Sequence, residues 1–316
     1  MSHFKSRFVM ASACSIVAST LAGEETGSLP DFSRRDHPLE VDGGTVHAWE
    51  VALEVNDSLE RVSSPVVLFL HGGTWSGRPD FDLQFEDYST MESFARKGWD
   101  TFAVDARGYG QSTNPEGENW SEAADVVKDL RVVVERICEL RSVEEVSLVG
   151  WSWGSQVAAL FAQEHPELVS RVVLYGTRWQ PLEYEYELPD ERLRISTLED
   201  AKSDFVEGCF DPKLVDVYAR AAIAADPDSP NGVFRDYYAN LPLIDPEKLL
   251  APTLVIAGEH EASHSIGDMS ALFEALPSTD KQLAVIPGGG HAVHLEKGRY
   301  RWRSTVLAFL DESPGR

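Results

Sequence analysis

Six short, unbroken apolar runs, each stopping at a histidine, aspartate, glycine or proline, constrain the fold of this chain more than any other feature. They are Val66–Leu70 before His71-Gly72-Gly73, Thr101–Val104 before Asp105, Val146–Val149 before Gly150, Val172–Tyr175 before Gly176, Leu254–Ala257 before Gly258, and Leu283–Ile286 before Pro287. Runs of this length without polar alternation suit strands buried on both faces, as in a parallel sheet covered by helices. The stretches between them read as those helices. Ser121 to Leu140 places Ala124, Val127, Leu130, Val134 and Ile137 three or four apart; Ser155 to His165 is alanine-rich and stops before Pro166. Tyr300 to Leu310 carries Trp302, Val306, Leu307 and Leu310. The alternation predicts an α/β fold with a doubly wound, mostly parallel sheet. Val41, Val46, Ala48, Val51 and Leu53 around Asp42-Gly43-Gly44 predict an antiparallel hairpin at its edge.

The rhythm breaks between Thr177 and Ala251, an acidic and aromatic interval too long to be a connecting loop. It reads as a mainly helical insertion over the C-terminal edge of the sheet, where open α/β sheets hold their ligands. The expected division is therefore a core of residues 23–176 and 251–316 with a cap of residues 177–250.

Ahead of the core, Lys5 and Arg7 precede a small, apolar run from Phe8 ending in Thr20-Leu21-Ala22. This order predicts a signal peptide of residues 1–22 and an exported protein; the alternative is a cytoplasmic chain with a polar tail. The run is shorter than the roughly 20 apolar residues of a membrane span, so stable membrane insertion is not expected. With 52 Asp and Glu against 28 Lys and Arg, the formal net charge is −24, which disfavours nucleic acid as a partner. Cys14, Cys138 and Cys209 have no zinc-like spacing with histidine, and neither a metal nor an organic cofactor is implied.

Gly150-Trp151-Ser152-Trp153-Gly154 fits Gly-x-Ser-x-Gly, following an apolar strand and opening a helix. A sharp strand-to-helix turn there exposes the serine hydroxyl, and the flanking glycines let strand and helix approach. A hydroxyl is a weak nucleophile and needs a base, which in turn needs a partner. His291, after Gly288-Gly289-Gly290 and the last apolar run, is the candidate base, with His294 as its competitor. For the acid, Glu261 is preferred beyond the strand ending at Gly258, with Glu259 and Asp268 as alternatives. Two backbone amides should form an oxyanion hole: Trp153, at the helix start, and Gly73, in the His71-Gly72-Gly73 loop.

Together His71-Gly72-Gly73, Asp105 to Ser112, the 150–154 turn, Pro252 to Glu261 and Gly290-His291 resemble the α/β-hydrolase superfamily over residues 39–316. The resemblance implies Ser152 as nucleophile, Glu261 as acid, His291 as base and a cap at 177–250. Glutamate where aspartate is commoner, and tryptophan on both sides of the nucleophile, depart from the usual pattern. Relatives with an aspartate nucleophile, such as epoxide hydrolases, are disfavoured by Ser152. The expected activity is hydrolysis of a small-molecule carboxylic ester or related acyl bond through an acyl-enzyme. Ser152-Trp153-Gly154-Ser155 is also similar to proline iminopeptidases, in which cap carboxylates hold a free amine. Here Glu183 to Glu187 would do so, although the loop has Thr74-Trp75 in place of the peptidases' Pro-Gly. A non-catalytic binding protein on the same fold is the third alternative. Trp75, Trp151, Tyr184 and Tyr186 are candidates for the pocket wall.

Overall fold

The apolar runs assemble into one sheet. The computed structural model describes residues 31–54, 64–181 and 186–312; the expected signal segment and Tyr184 lie outside them. In chain order the strands are β1 (Phe32–Val41), β2 (Gly44–Leu53), β3 (Val66–Leu70), β4 (Asp100–Asp105), β5 (Val146–Trp151), β6 (Val169–Tyr175), β7 (Leu193–Ile195), β8 (Asp228–Pro230), β9 (Thr253–Gly258) and β10 (Lys281–Ile286). The helices are α1 (Gly77–Phe81), α2 (Thr90–Ala95), α3 (Ala123–Arg141), α4 (Trp153–Glu164), α5 (Leu198–Ser203), α6 (Pro212–Ala225), α7 (Gly232–Arg235), α8 (Ile266–Ala275) and α9 (Arg299–Leu310).

Eight strands form the main sheet in the order β1-β2-β4-β3-β5-β6-β9-β10. The β1–β2 hairpin and its pairing with β4 are antiparallel; every other pairing is parallel. Each residue of β3, β5 and β9 is buried, which is why no polar alternation marks them. Successive side chains go to opposite faces. Leu68, Leu148 and Val172 join one core with Val126 of α3, Val157 of α4 and Leu272 of α8. Phe69, Val149 and Val173 join the other with Phe81 of α1, Phe94 of α2 and Trp302 of α9. On α3 the expected Val127, Leu130, Val134 and Ile137 are buried, whereas Ala124 is exposed and Ala123 takes the inward position at the start of the helix.

The chain leaves β3 toward β4 on one side, then returns to β5 on the other. The loops after β3 and β5 therefore diverge and leave a crevice at their C-terminal ends. The pairing of Leu70 with Gly150 sets His71-Gly72-Gly73 beside Trp151-Ser152. Between β6 and β9 lie α5, α6, α7 and a π-helical turn, Asp236–Asn240. A two-stranded ribbon, β7 against β8, joins these helices. Its strands are three residues long and part-polar, so they leave no apolar run in the sequence.

Candidate active site

Strand β5 ends at Trp151 and α4 begins at Trp153, leaving Ser152 alone in the turn with φ 55° and ψ −120°. Residues with a side chain rarely occupy this region, and here the surroundings impose it. The Ser152 amide donates to the Tyr175 carbonyl at 2.8 Å, and the Ser155 amide donates to the Ser152 carbonyl at 3.0 Å. A Cβ on Gly150 would lie 2.3 Å from the Gly154 carbonyl oxygen, and one on Gly154 2.4 Å from those of Leu70 and His71. No larger residue fits at either position without moving strand from helix. Trp151 and Trp153 lock the turn from both sides, each packed into a different core.

His291 and Glu261 come from the loops after β10 and β9. His291 Nδ1 lies 2.7 Å from Glu261 Oε2. Gly176, at φ +62°, makes room for the pair: a Cβ there would fall 3.1 Å from His291 Cε1 and 3.3 Å from Glu261 Oε2. The His291 carbonyl accepts hydrogen bonds from Trp151 Nε1 at 3.0 Å and from the Tyr175 hydroxyl at 2.6 Å, which fixes the base of the ring. Ser263 donates its amide (2.9 Å) and hydroxyl (2.7 Å) to Glu261 Oε1. Burial alone would raise the Glu261 pKa, but the charge and hydrogen bond of His291, with His264 and Ser263, hold it at about 2. Burial would lower the His291 pKa; the Glu261 charge and hydrogen bond, with Asp204 and Glu296, raise it instead. Glu261 thus remains a carboxylate against a strengthened base.

The alternatives have other positions. Glu259 accepts from the Gly288 amide, and Asp268 closes a capping box with Ser265 at the start of α8. His294 is fully buried among Phe81, Trp151, Tyr175 and Trp302, and burial keeps its pKa well below the ordinary value. It is a core histidine.

Ser152 and His291 line one cavity of about 430 Å³. The Ser152 hydroxyl is hydrogen-bonded to the Tyr237 hydroxyl at 3.4 Å; among the described residues it makes no hydrogen bond to His291. Bonds of that kind often tighten only when substrate is present.

The loop after β3 is held by His71, buried at 2% exposure. The Ala106 amide donates to His71 Nε2 at 3.0 Å, so Nε2 is the acceptor and Nδ1 carries the proton. Nδ1 then donates to the Gly72 carbonyl at 2.7 Å. In a trans peptide the Gly73 N–H points opposite to that carbonyl. Burial brings the His71 pKa down to about 4, against the pull of the Gly72 bond, so the ring stays neutral. The Cβ site of Gly73 is 3.5 Å from Trp153 Cβ, so the two expected oxyanion residues are neighbours. Neither amide donates a hydrogen bond among the described residues.

A family model described as serine aminopeptidase, S33, matches residues 62–298 of this sequence. The chain belongs to that family, within the α/β-hydrolase superfamily. Among curated proteins it is 23% identical to epoxide hydrolase 3 of Mus musculus over 285 residues, 80% of this chain and 72% of that one. It is 29% identical to a proline iminopeptidase of Arabidopsis thaliana over 155 residues, 48% of this chain and only 38% of the relative. The 2-hydroxy-6-oxo-6-phenylhexa-2,4-dienoate hydrolase of Rhodococcus sp. strain RHA1 superposes with a TM-score of 0.65 at 18% identity, over 90% of this chain and all (100%) of that one. An epoxide hydrolase from Vigna radiata gives 0.64 at 18%, covering 90% and 99%. These likenesses establish the fold.

In this α/β-hydrolase the far wall of the cavity comes from residues that sequence reasoning left unassigned. Tyr237 sits in the π turn beside Asp236, which is fully buried and accepts from Trp153 Nε1 and the Ala123 amide, each at 2.7 Å, and from Asn240 Nδ2 at 2.9 Å. Burial raises the Asp236 pKa to about 6 against these donors. The turn is thereby tied to α4, the helix that follows Ser152. A π turn places consecutive side chains out of helical phase, so an α-helical pattern does not reveal where Tyr237 points. Arg178, Arg194 and Asp204 also line the cavity. Arg194 donates to the Gly73 carbonyl at 2.9 Å, beside the Tyr109 hydroxyl, also at 2.9 Å, and reaches the Pro230 carbonyl. Of the expected pocket residues, Trp75 and Trp151 line the cavity while packing in the core. Tyr186 does not line it. It is 43% exposed and stacks at 3.8 Å on Tyr238, which takes the place at the wall.

Proposed function

We propose that the chain is a serine hydrolase of carboxylic esters or related acyl bonds, with Ser152 as nucleophile, His291 as general base and Glu261 as its partner. The observation that carries this reading is the 2.7 Å His291–Glu261 pair opening on the cavity that holds Ser152 at its strained turn. His291 Nε2 takes the Ser152 proton as Oγ attacks the substrate carbonyl. The amides of Gly73 and Trp153 receive the oxyanion, a contribution of several kcal/mol in such sites. The imidazolium, stabilised by Glu261, passes its proton to the leaving alcohol, giving an acyl-enzyme. Water activated by the same imidazole then releases the acid.

The test is reaction with a fluorophosphonate probe followed by peptide mapping, together with turnover of short 4-nitrophenyl esters. Label on any residue but Ser152, or undiminished turnover in Ser152→Ala, sinks the assignment. An aminopeptidase is the second reading, supported by Asp204, a half-buried carboxylate of the interval between β6 and β9 that lines the cavity. It requires turnover of prolyl anilides with KM raised in Asp204→Asn. Export remains part of the reading: intact mass of the protein recovered outside the cytoplasm should lack residues 1–22.

A further inference from the structure

The catalytic cavity of this acidic protein, of net charge −24, is lined by two arginines that form no ion pair among the described residues, Arg178 and Arg194. Of the two described carboxylates on the same wall, Glu261 is occupied by His291, and Asp204 forms no ion pair. Arg194 is anchored on the backbone through Gly73 and Pro230, and its guanidinium lies 4.8 Å over the Phe234 ring. Arg178 is different. Its backbone is pinned, because Gln156 Nε2 donates to its carbonyl at 2.9 Å and the neighbouring Trp179 Nε1 donates to the Asp268 carbonyl at 2.9 Å. Its guanidinium donates no hydrogen bond among the described residues, although it is half-buried. It stands two residues beyond Gly176, the position that contacts both His291 and Glu261. It is also near enough to Tyr237 for its charge to act on the phenol bonded to Ser152.

The Arg178 charge also acts on Asp268, but with no hydrogen bond or ion pair among the described residues its donors are unsatisfied in a partly desolvated cavity. A guanidinium offers five donors in a fixed fork that matches a carboxylate. Resting on the serine-hydrolase reading, we infer that the substrate is an acyl compound bearing its own carboxylate, such as the hemiester of a short dicarboxylic acid, and that Arg178 receives that carboxylate while the ester carbonyl lies at Ser152. The cavity, at about 430 Å³, suits such a small molecule. Arg194 adds a second positive charge to the same wall. The protein's overall field repels anions, so any preference for one has to arise locally.

The experiment compares kcat/KM for mono-4-nitrophenyl glutarate and 4-nitrophenyl pentanoate, esters of equal chain length that differ in charge. The wild type should favour the anionic ester by about tenfold or more, the worth of a charge-assisted bond. Arg178→Gln should erase that ratio and Arg178→Lys should restore part of it. In parallel, glutarate should slow fluorophosphonate labelling of Ser152 more than neutral glutaramide does. Equal handling of the two esters by the wild type, with no protection by glutarate, overturns the inference while Ser152 labelling leaves the hydrolase reading standing. A preference that survives in Arg178→Gln overturns the assignment to Arg178. Absence of both turnover and labelling removes the hydrolase reading and this inference with it.

Discussion

The Tyr237 hydroxyl lies 3.4 Å from Ser152 Oγ, and the two residues reach each other from different layers: Ser152 from the turn at the end of β5, Tyr237 from the π turn of the insertion. Burial pushes the Tyr237 pKa up to about 12, despite the Ser152 bond and the Arg178 charge, so the phenol remains a proton donor at any working pH. Once Ser152 Oγ is acylated it becomes a poor acceptor, and the phenol is free to turn to an oxygen of the substrate. Tyr237→Phe keeps the ring and removes that donor. We expect kcat to fall by about tenfold, with KM less affected, from the loss of one hydrogen bond in a partly dry site. Steady-state kinetics on a neutral ester check this, and an unchanged kcat would leave Tyr237 as wall material only.

The Glu261–His291 pair predicts a pH signature. The raised His291 pKa means the imidazole loses its proton above the ordinary value of 6.5, so kcat/KM should climb with pH through an acid limb centred above that value. In Glu261→Gln the largest raising influence is gone and only the charges of Asp204 and Glu296 remain against burial, so the histidine pKa falls. The acid limb should move to lower pH while kcat falls by about 10²–10⁴, as when a triad acid loses its charge. A pH–rate profile of the variant that keeps the wild-type limb would contradict this.

His71 tests the oxyanion loop without touching the reacting groups. His71→Ala removes the donor that fixes the Gly72 carbonyl and leaves the Ala106 amide unpaired. A misaligned Gly73 amide should reduce kcat by about 10–10², with little change in KM, since a lost oxyanion donor costs about 10²–10³. Comparing single-turnover acylation rates isolates the step.

Asp236 tests the link between the π turn and α4, the helix that follows Ser152. In Asp236→Ala three donors lose a buried acceptor: the Trp153 indole, the Ala123 amide and the Asn240 side chain. The expected destabilisation is about 2–4 kcal/mol. Urea denaturation measures it, and a change under about 0.5 kcal/mol would show that the hub is dispensable.

The strands of the core were legible because strands buried on both faces leave continuous apolar runs, but their order in the sheet was not, since pairing leaves no mark in the linear sequence. The positions of Ser152 and His291 beside one cavity follow from the same signals, glycines flanking Ser152 and preceding His291 at strand ends. The sequence favours Glu261 over Glu259 and Asp268, and the structure separates them because of the three only Glu261 reaches His291, while Asp268 lies in α8. The wall of the cavity was opaque. The Glu183 to Glu187 run drew attention to Tyr186, yet the stacked partner Tyr238 took the inner place. Tyr237, Arg178 and Arg194 sit on a π turn, a post-strand loop and a three-residue strand, none of which imposes a periodicity that a linear pattern could register.

The contact of Arg194 with the Gly73 carbonyl has a consequence for turnover. The same guanidinium lines the cavity and steadies the loop whose amide is proposed to receive negative charge. Displacing Arg194 as a molecule enters or leaves would loosen the loop, and its return would restore the loop's aim. On that reading, occupancy of the cavity and the aim of the Gly73 amide at a carbonyl are coupled through one side chain.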